Sequence, residues 1–187
     1  MNDQLKHHLY HQISLRILSF LSLYSERIFS AKEISEHTES SKGSTSQAVR
    51  LFLKLNILSR EKKGNIFLYR VNFDNIALKQ FKKFETLLGI QKLIQDIQPY
   101  CYQIILFGSC ANGANTNKSD LDLFIKTEYK NKVQKLINKY RTSKFRIQAV
   151  AQDPLEIVAA KNADKVFFEQ VKKGIVLWEG RPVYEKL

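Results

Sequence analysis

The chain has 187 residues, 44% of them hydrophobic and 26% charged, with a formal net charge of +12. That length holds one medium domain or two small ones, and the composition is that of a folded protein with real cores. No apolar run approaches the ~20 residues needed to cross a bilayer, and two cysteines, Cys101 and Cys110, are too few for a disulfide framework and lack zinc spacing. The stretch ISLRILSFLSLY (13–24) carries Arg16 and is followed by no small-residue cleavage site, so it reads as a core helix and not a signal peptide. The expectation is a cytoplasmic protein that does not engage a membrane, with both cysteines as bystander thiols.

From about Leu5 to Tyr24 the apolar residues Ile13, Ile17, Leu18, Leu21 and Tyr24 recur at helical spacing. His7 and His11 stand one turn apart there, a metal-like spacing for which a frayed terminal helix is the simpler setting. Ser30 with Glu33 three residues later forms a capping-box pattern that starts a second, short helix. After the polar break ESSKGS (39–44), TSQAVRLFLKLN (45–56) reads as a third helix. ILSRE (57–61) and NIFLYRVN (65–72), joined through Lys62-Lys63-Gly64, read as a β-hairpin.

Helix, helix, turn, helix, hairpin resembles a winged helix-turn-helix domain over roughly residues 10–72. In that family the third helix enters the major groove and the wing touches the phosphate backbone. The resemblance implies DNA contacts from Ser44, Thr45, Gln47, Arg50 and Lys54 on the third helix and from Lys62 and Lys63 on the wing. Charge agrees with it. Residues 41–70 hold seven lysines and arginines against Glu61 alone, a net +6. A winged helix used for dimerisation or partner docking is the alternative.

Phe73 to Ile97 has helical periodicity and reads as a linker between domains, ended by Pro99. Beyond it, QIILFG (103–108) is expected as a buried strand and SDLDLFIK (119–126) as an alternating one. KNKVQKLINKYR (130–141) is expected as a basic helix, FRIQAVA (145–151) as a strand, and residues 153–174 as helical with Asp153 as cap. IVLWEG (175–180) is either a last strand or a tail. Residues 126–148 carry eight basic residues against Glu128, a net +7. The basic helix could steer a polyanion or simply be a solvated face.

The chemistry concentrates in Gly108-Ser109, ten intervening residues, then Asp120-Leu121-Asp122. A strand ending in Gly-Ser lets bare backbone N–H groups and a hydroxyl approach phosphate oxygens. Asp120 and Asp122, two apart on a strand, project from one face. Closely spaced oxygen ligands suit Mg²⁺ (or Mn²⁺) shared with substrate phosphates. At these residues, 103–125, the sequence resembles the minimal nucleotidyltransferases of the DNA polymerase beta superfamily, and the later element order fits through about Gly180.

The resemblance implies an α+β protein: an N-terminal winged helix-turn-helix domain (1–73), a helical linker (74–98) and a C-terminal nucleotidyltransferase α/β domain with a mixed sheet (99–187). It implies Asp120 and Asp122 as catalytic metal ligands, Gly108 and Ser109 as nucleotide contacts, and transfer of NMP from an NTP, with ATP the expected donor. The acceptor would be a protein hydroxyl, as in the antitoxins of this group that adenylylate a partner HEPN-type toxin, or a small molecule. A homodimer is left open. Two positions depart from the family. Asn112 stands where many members carry Arg, and Gln148 stands where a third carboxylate is usual. Asp153 and Glu156 are nearby but better explained as helix cap and first-turn charge. Glutamine cannot accept a proton at neutral pH, which favours an alternative in which the protein is a nucleotide-sensing DNA-binding regulator or antitoxin without efficient turnover.

Overall fold

The structure, a computed structural model, describes residues 13–140 and 146–182. The readings made for residues 5–12, including His7 and His11, lie outside the described residues. The chain divides into two compact units between Leu88 and Gly89. Among the described residues no helix is long and apolar enough to cross a membrane.

The first unit runs α1 (Ile13–Leu23), β1 (Ile28–Ser30), α2 (Ala31–His37), α3 (Lys42–Lys54), β2 (Leu58–Lys63), β3 (Ile66–Val71) and the first part of α4 (Ile76–Ile97). Local chemistry starts two of these helices. Ser30 and Glu33 complete the capping box of α2, and the Ser41 hydroxyl accepts from the Ser44 N–H at the start of α3. Helix α3 therefore begins three residues before its apolar periodicity does. The three strands form an antiparallel sheet in the order β1-β3-β2, with Lys63 opposite Ile66 at the hairpin tip. Strand β1 is too short to leave a period in the sequence, and the sequence pattern does not predict it. Ile17 and Leu21 of α1, Phe29, Ile34, Val49, Phe52 and Leu78 meet in one buried core.

Helix α4 occupies the segment read as a linker, and the division between the units falls inside it. Its first part belongs to the first unit: Glu85 accepts from Ser19 at 2.6 Å and Ser22 at 3.2 Å, and the buried Lys82 donates to Ser25 at 3.3 Å. Its last turns belong to the second unit, where Asp96 pairs with Lys92 at 2.5 Å and accepts from the Tyr140 hydroxyl.

The second unit continues through a 3₁₀ turn (Gln98–Tyr100) to β4 (Gln103–Phe107), α5 (Gly108–Asn112), β5 (Leu121–Lys126), α6 (Lys130–Asn138), β6 (Ile147–Gln152), α7 (Pro154–Ala163), α8 (Lys165–Lys172) and β7 (Ile175–Glu179). The sheet order is β6-β5-β4-β7. It is mixed, because β5 and β6 run parallel across the α6 connection while the other pairs are antiparallel. One face carries Ile104, Leu106, Leu121, Leu123 and Ile125, each with no exposure. The other face packs Ile105, Phe107 and Phe124 against Ile157 of α7 and Phe168 and Val171 of α8.

The helical stretch 153–174 is two helices and not one. Asp164 leaves helical geometry (φ −128°, ψ 69°) and its carboxylate accepts from the Phe167 N–H, so it ends α7 and caps α8. IVLWEG is a strand, paired along β4. The turn between α8 and β7 is tight. A Cβ on Gly174 would lie 2.5 Å from the Leu106 carbonyl oxygen and 2.6 Å from Ile105 Cγ2. Gly174→Ala should therefore push β7 off β4 and destabilise the chain by about 1–3 kcal/mol. A urea midpoint equal to that of the wild type would show that the turn has room to spare.

Candidate functional site

The β4–β5 ladder sets the site. Phe107 stands opposite Asp122, so the residue after β4, Gly108, is delivered to the Asp122 carboxylate. Gly108 has φ +70°, and a Cβ there would overlap that carboxylate. Only glycine satisfies both the left-handed backbone and the close approach. Ser109, half-buried, follows in the first turn of α5.

The connection back to β5 is tied down at three points. The Ser119 hydroxyl accepts from the Thr116 N–H at 2.9 Å, the Ala114 N–H donates to the Ser109 carbonyl at 3.0 Å, and the Cys110 thiol donates to the Asp120 carbonyl at 3.4 Å. Cys110 is fully buried. It is thus part of the scaffold under Asp120, a role its isolated position in the sequence does not indicate.

Asp120 and Asp122 flank the buried Leu121, and both are half-buried. On their face of the sheet Asp122 has Phe107 across the ladder and Phe124 two residues on, and these two rings pack against Phe167 at 5.6 and 6.0 Å. That apolar setting raises the Asp122 carboxyl above its ordinary value, and the neighbouring Asp120 charge adds to the rise.

Gln148 is the register partner of Asp122 on β6, and its side-chain amide donates to Asp120 Oδ2. The position usually filled by a third carboxylate thus holds a neutral group already committed to one aspartate oxygen. Asp153 and Glu156 do not replace it. Asp153 caps α7 in a capping box with Glu156, and Lys130 pairs with them at 3.3 and 2.6 Å. The Asp153 carboxyl is held below its ordinary value chiefly by the Glu156 N–H. Among the described residues no three His, Cys, Asp or Glu side chains gather in one metal-sized cluster. Two carboxylates remain, which fits a cation that completes its shell with water and phosphate oxygens.

The basic helix α6 is partly spoken for. Lys130 is paired as above, Lys132 sits 5.6 Å over the Tyr100 ring, and Lys126, just before the helix, sits 5.8 Å over Tyr102. Asn112 is exposed at the end of α5.

In the first unit Gln47, Arg50 and Lys54 are exposed at helical spacing along α3, and Lys62 and Lys63 are exposed at the hairpin end. Among the described residues none of those four cations forms an ion pair. Ser44 is half-buried and accepts a hydrogen bond from the Ser41 hydroxyl. Thr45 requires a correction. It is 1% exposed, its hydroxyl donates to the Ser41 carbonyl at 3.0 Å and lies 2.7 Å from the Ser40 hydroxyl. It holds the entry to α3 from inside and presents nothing to a ligand.

A strand ending in Gly-Ser, a short helix, and paired carboxylates on the next strand of a mixed sheet define a nucleotidyltransferase-type corner. Residues 90–182 match the family model described as "Polymerase beta, Nucleotidyltransferase". The second unit is accordingly a nucleotidyltransferase domain of that family, and nucleotidyl transfer is its general function. None of the curated proteins compared with the chain matches it. A crystal structure of a candidate nucleotidyltransferase from Sulfolobus solfataricus aligns with 54% of this chain and 86% of that chain, at 14% identity and a TM-score of 0.36.

The corner should respond to two substitutions. Gly108→Ala should lose about 1–3 kcal/mol of stability in denaturant melts; an unchanged midpoint would mean the corner relaxes. Because the Asp122 carboxyl is raised in the folded chain, its charged form opposes folding above that value, and the opposition fades as pH falls through it. Asp122→Asn should therefore melt at the same or a higher temperature than the wild type at pH 7 in chelator. A clearly lower melting temperature would contradict the assigned cause.

Proposed function

We propose that the second unit binds an NTP with Mg²⁺ or Mn²⁺ and transfers NMP, with ATP the expected donor, to a hydroxyl acceptor, and that the first unit is a winged helix-turn-helix that binds DNA. The observation that carries the transfer reading is the approach of Gly108 to Asp122, which sets a backbone turn suited to phosphate oxygens against two carboxylates suited to the cation. Asp120 and Asp122 would hold the cation. The cation, when bound, offsets charge on the triphosphate and orients the reacting phosphorus. Gly108 and Ser109 orient the phosphates through backbone N–H and hydroxyl donors. The acceptor hydroxyl belongs to a protein, such as a HEPN-type toxin partner, or to a small molecule.

DNA binding is supported by the order helix, strand, helix, helix, hairpin and by Arg50, Lys54, Lys62 and Lys63, exposed and without ion pairs among the described residues. Gln47 is the exposed amide on the same stripe. Thr45 drops out of the contact set.

Gln148 favours a second reading, in which the domain binds nucleotide and regulates, as a DNA-binding repressor or an antitoxin, with little turnover. Its amide can orient Asp120 but cannot take the acceptor proton. Incubation with α-³²P-labelled ATP, Mg²⁺ and candidate acceptors should show transfer that Asp120→Ala abolishes, and Gln148→Asp should raise the rate, by about 10²-fold if it restores a general base. No label in any acceptor from either protein would leave the regulatory reading alone standing. For the first unit, Arg50→Ala and Lys62→Ala should each weaken duplex DNA binding and flatten its salt dependence, read by fluorescence anisotropy, without changing the melting temperature. Negligible affinity of the wild type at low salt would make this unit a docking module.

A further inference from the structure

The face of β6 that carries Gln148 holds one more group that the transfer chemistry leaves unused. Exposure alternates along 146–150: Arg146, Gln148 and Val150 are exposed while Ile147 and Ala149 are half-buried. Side chains two apart on an extended segment share a face. Gln148 identifies which face this is, because its amide reaches Asp120. The Arg146 carbonyl accepts from the Leu121 N–H at 2.9 Å, and Leu121 is paired with Ile147. That bond belongs to the Leu121–Ile147 pair that begins the parallel ladder, so Arg146 immediately precedes β6 as Asp120 immediately precedes β5.

The Arg146 guanidinium has no ion pair among the described residues, and Asp120, which precedes β5 as Arg146 precedes β6, is no exception. A positive charge just before the strand that pairs with the aspartates' strand, exposed and without a salt bridge among the described residues, is suited to a ligand that brings its own negative charge. Arg presents a planar fork of donors that matches phosphate oxygens. On the Gly-Ser side, by contrast, α5 ends in the neutral Asn112.

We propose that Arg146 binds the polyphosphate of the nucleotide, from the β6 side of the corner, and so supplies the charge that Asn112 does not. This rests on the proposal that the Gly108–Asp122 corner takes a nucleotide. The ligand class is a nucleoside di- or triphosphate, and the nucleoside and its α-phosphate are held by other groups.

The test is calorimetric titration of the full chain with Mg²⁺ and ATP, ADP or AMP. Arg146→Ala should weaken ATP binding by about 10- to 100-fold, the range for losing a charge-assisted contact. AMP affinity should change little, and Arg146→Lys should restore part of the loss for ATP. Lys32→Ala, on the exposed face of α2 in the other unit, should leave all three affinities as in the wild type. Equal ATP affinity for the wild type and Arg146→Ala would overturn the assignment while leaving the nucleotide site intact. An equal loss for AMP and ATP would overturn it too, since the effect would then not be at the polyphosphate. A wild type that binds none of the three nucleotides would remove both the assignment and the nucleotide reading beneath it.

Discussion

The register of β4 against β5 is the constraint on which the candidate site depends. Phe107 faces Asp122, and every side-chain orientation on β5 follows from that pairing. A slip of one residue would turn the aspartates into the layer of Ile104 and Leu106 and move Leu121, Leu123 and Ile125, which now have no exposure at all, to the face that holds the aspartates. Burial of three large aliphatic side chains is worth several kcal/mol on the usual scale of about 1.5–3 kcal/mol each. The hydrophobic effect on one face of the strand thereby positions two charges on the other.

The features legible in the sequence are those written in local signals. Ser30 with Glu33 and Asp153 with Glu156 are capping boxes readable from spacing alone, and both are present. The Gly-Ser turn, the ten-residue spacing and Asp-x-Asp mark the corner, because a buried strand followed by glycine leaves few alternatives. What is not legible depends on partners far along the chain. Strand β1 is three residues long and exists only through its pairing with β3. Thr45 has the composition of a surface donor, but the fold closes the Ser40 hydroxyl and the Ser41 carbonyl around it. Asp164 sits in a sequence with helical character on both sides, and its role as both stop and cap is decided by its backbone geometry. The place of Arg146 follows from a parallel pairing that no local pattern encodes.

The two basic blocks, +6 and +7 in the sequence, turn out to be physically different. In the second unit Lys130 neutralises a helix cap, and Lys126 and Lys132 lie over tyrosine rings. Part of that block's charge thus supports the fold. In the first unit Arg60 lies over Phe67, but Arg50, Lys54, Lys62 and Lys63 have no such internal employment among the described residues. Charge counting could not separate these cases, because the difference lies in which acidic or aromatic groups the fold brings within reach.

Gln148 has a consequence for the resting state of the protein. Three carboxylates on adjacent strands would repel one another at close range and would lean on a counter-ion to keep the corner together. With an amide in the third place, two negative charges remain, and one of them is already hydrogen-bonded. The folded corner thus needs less compensating positive charge to keep its own shape.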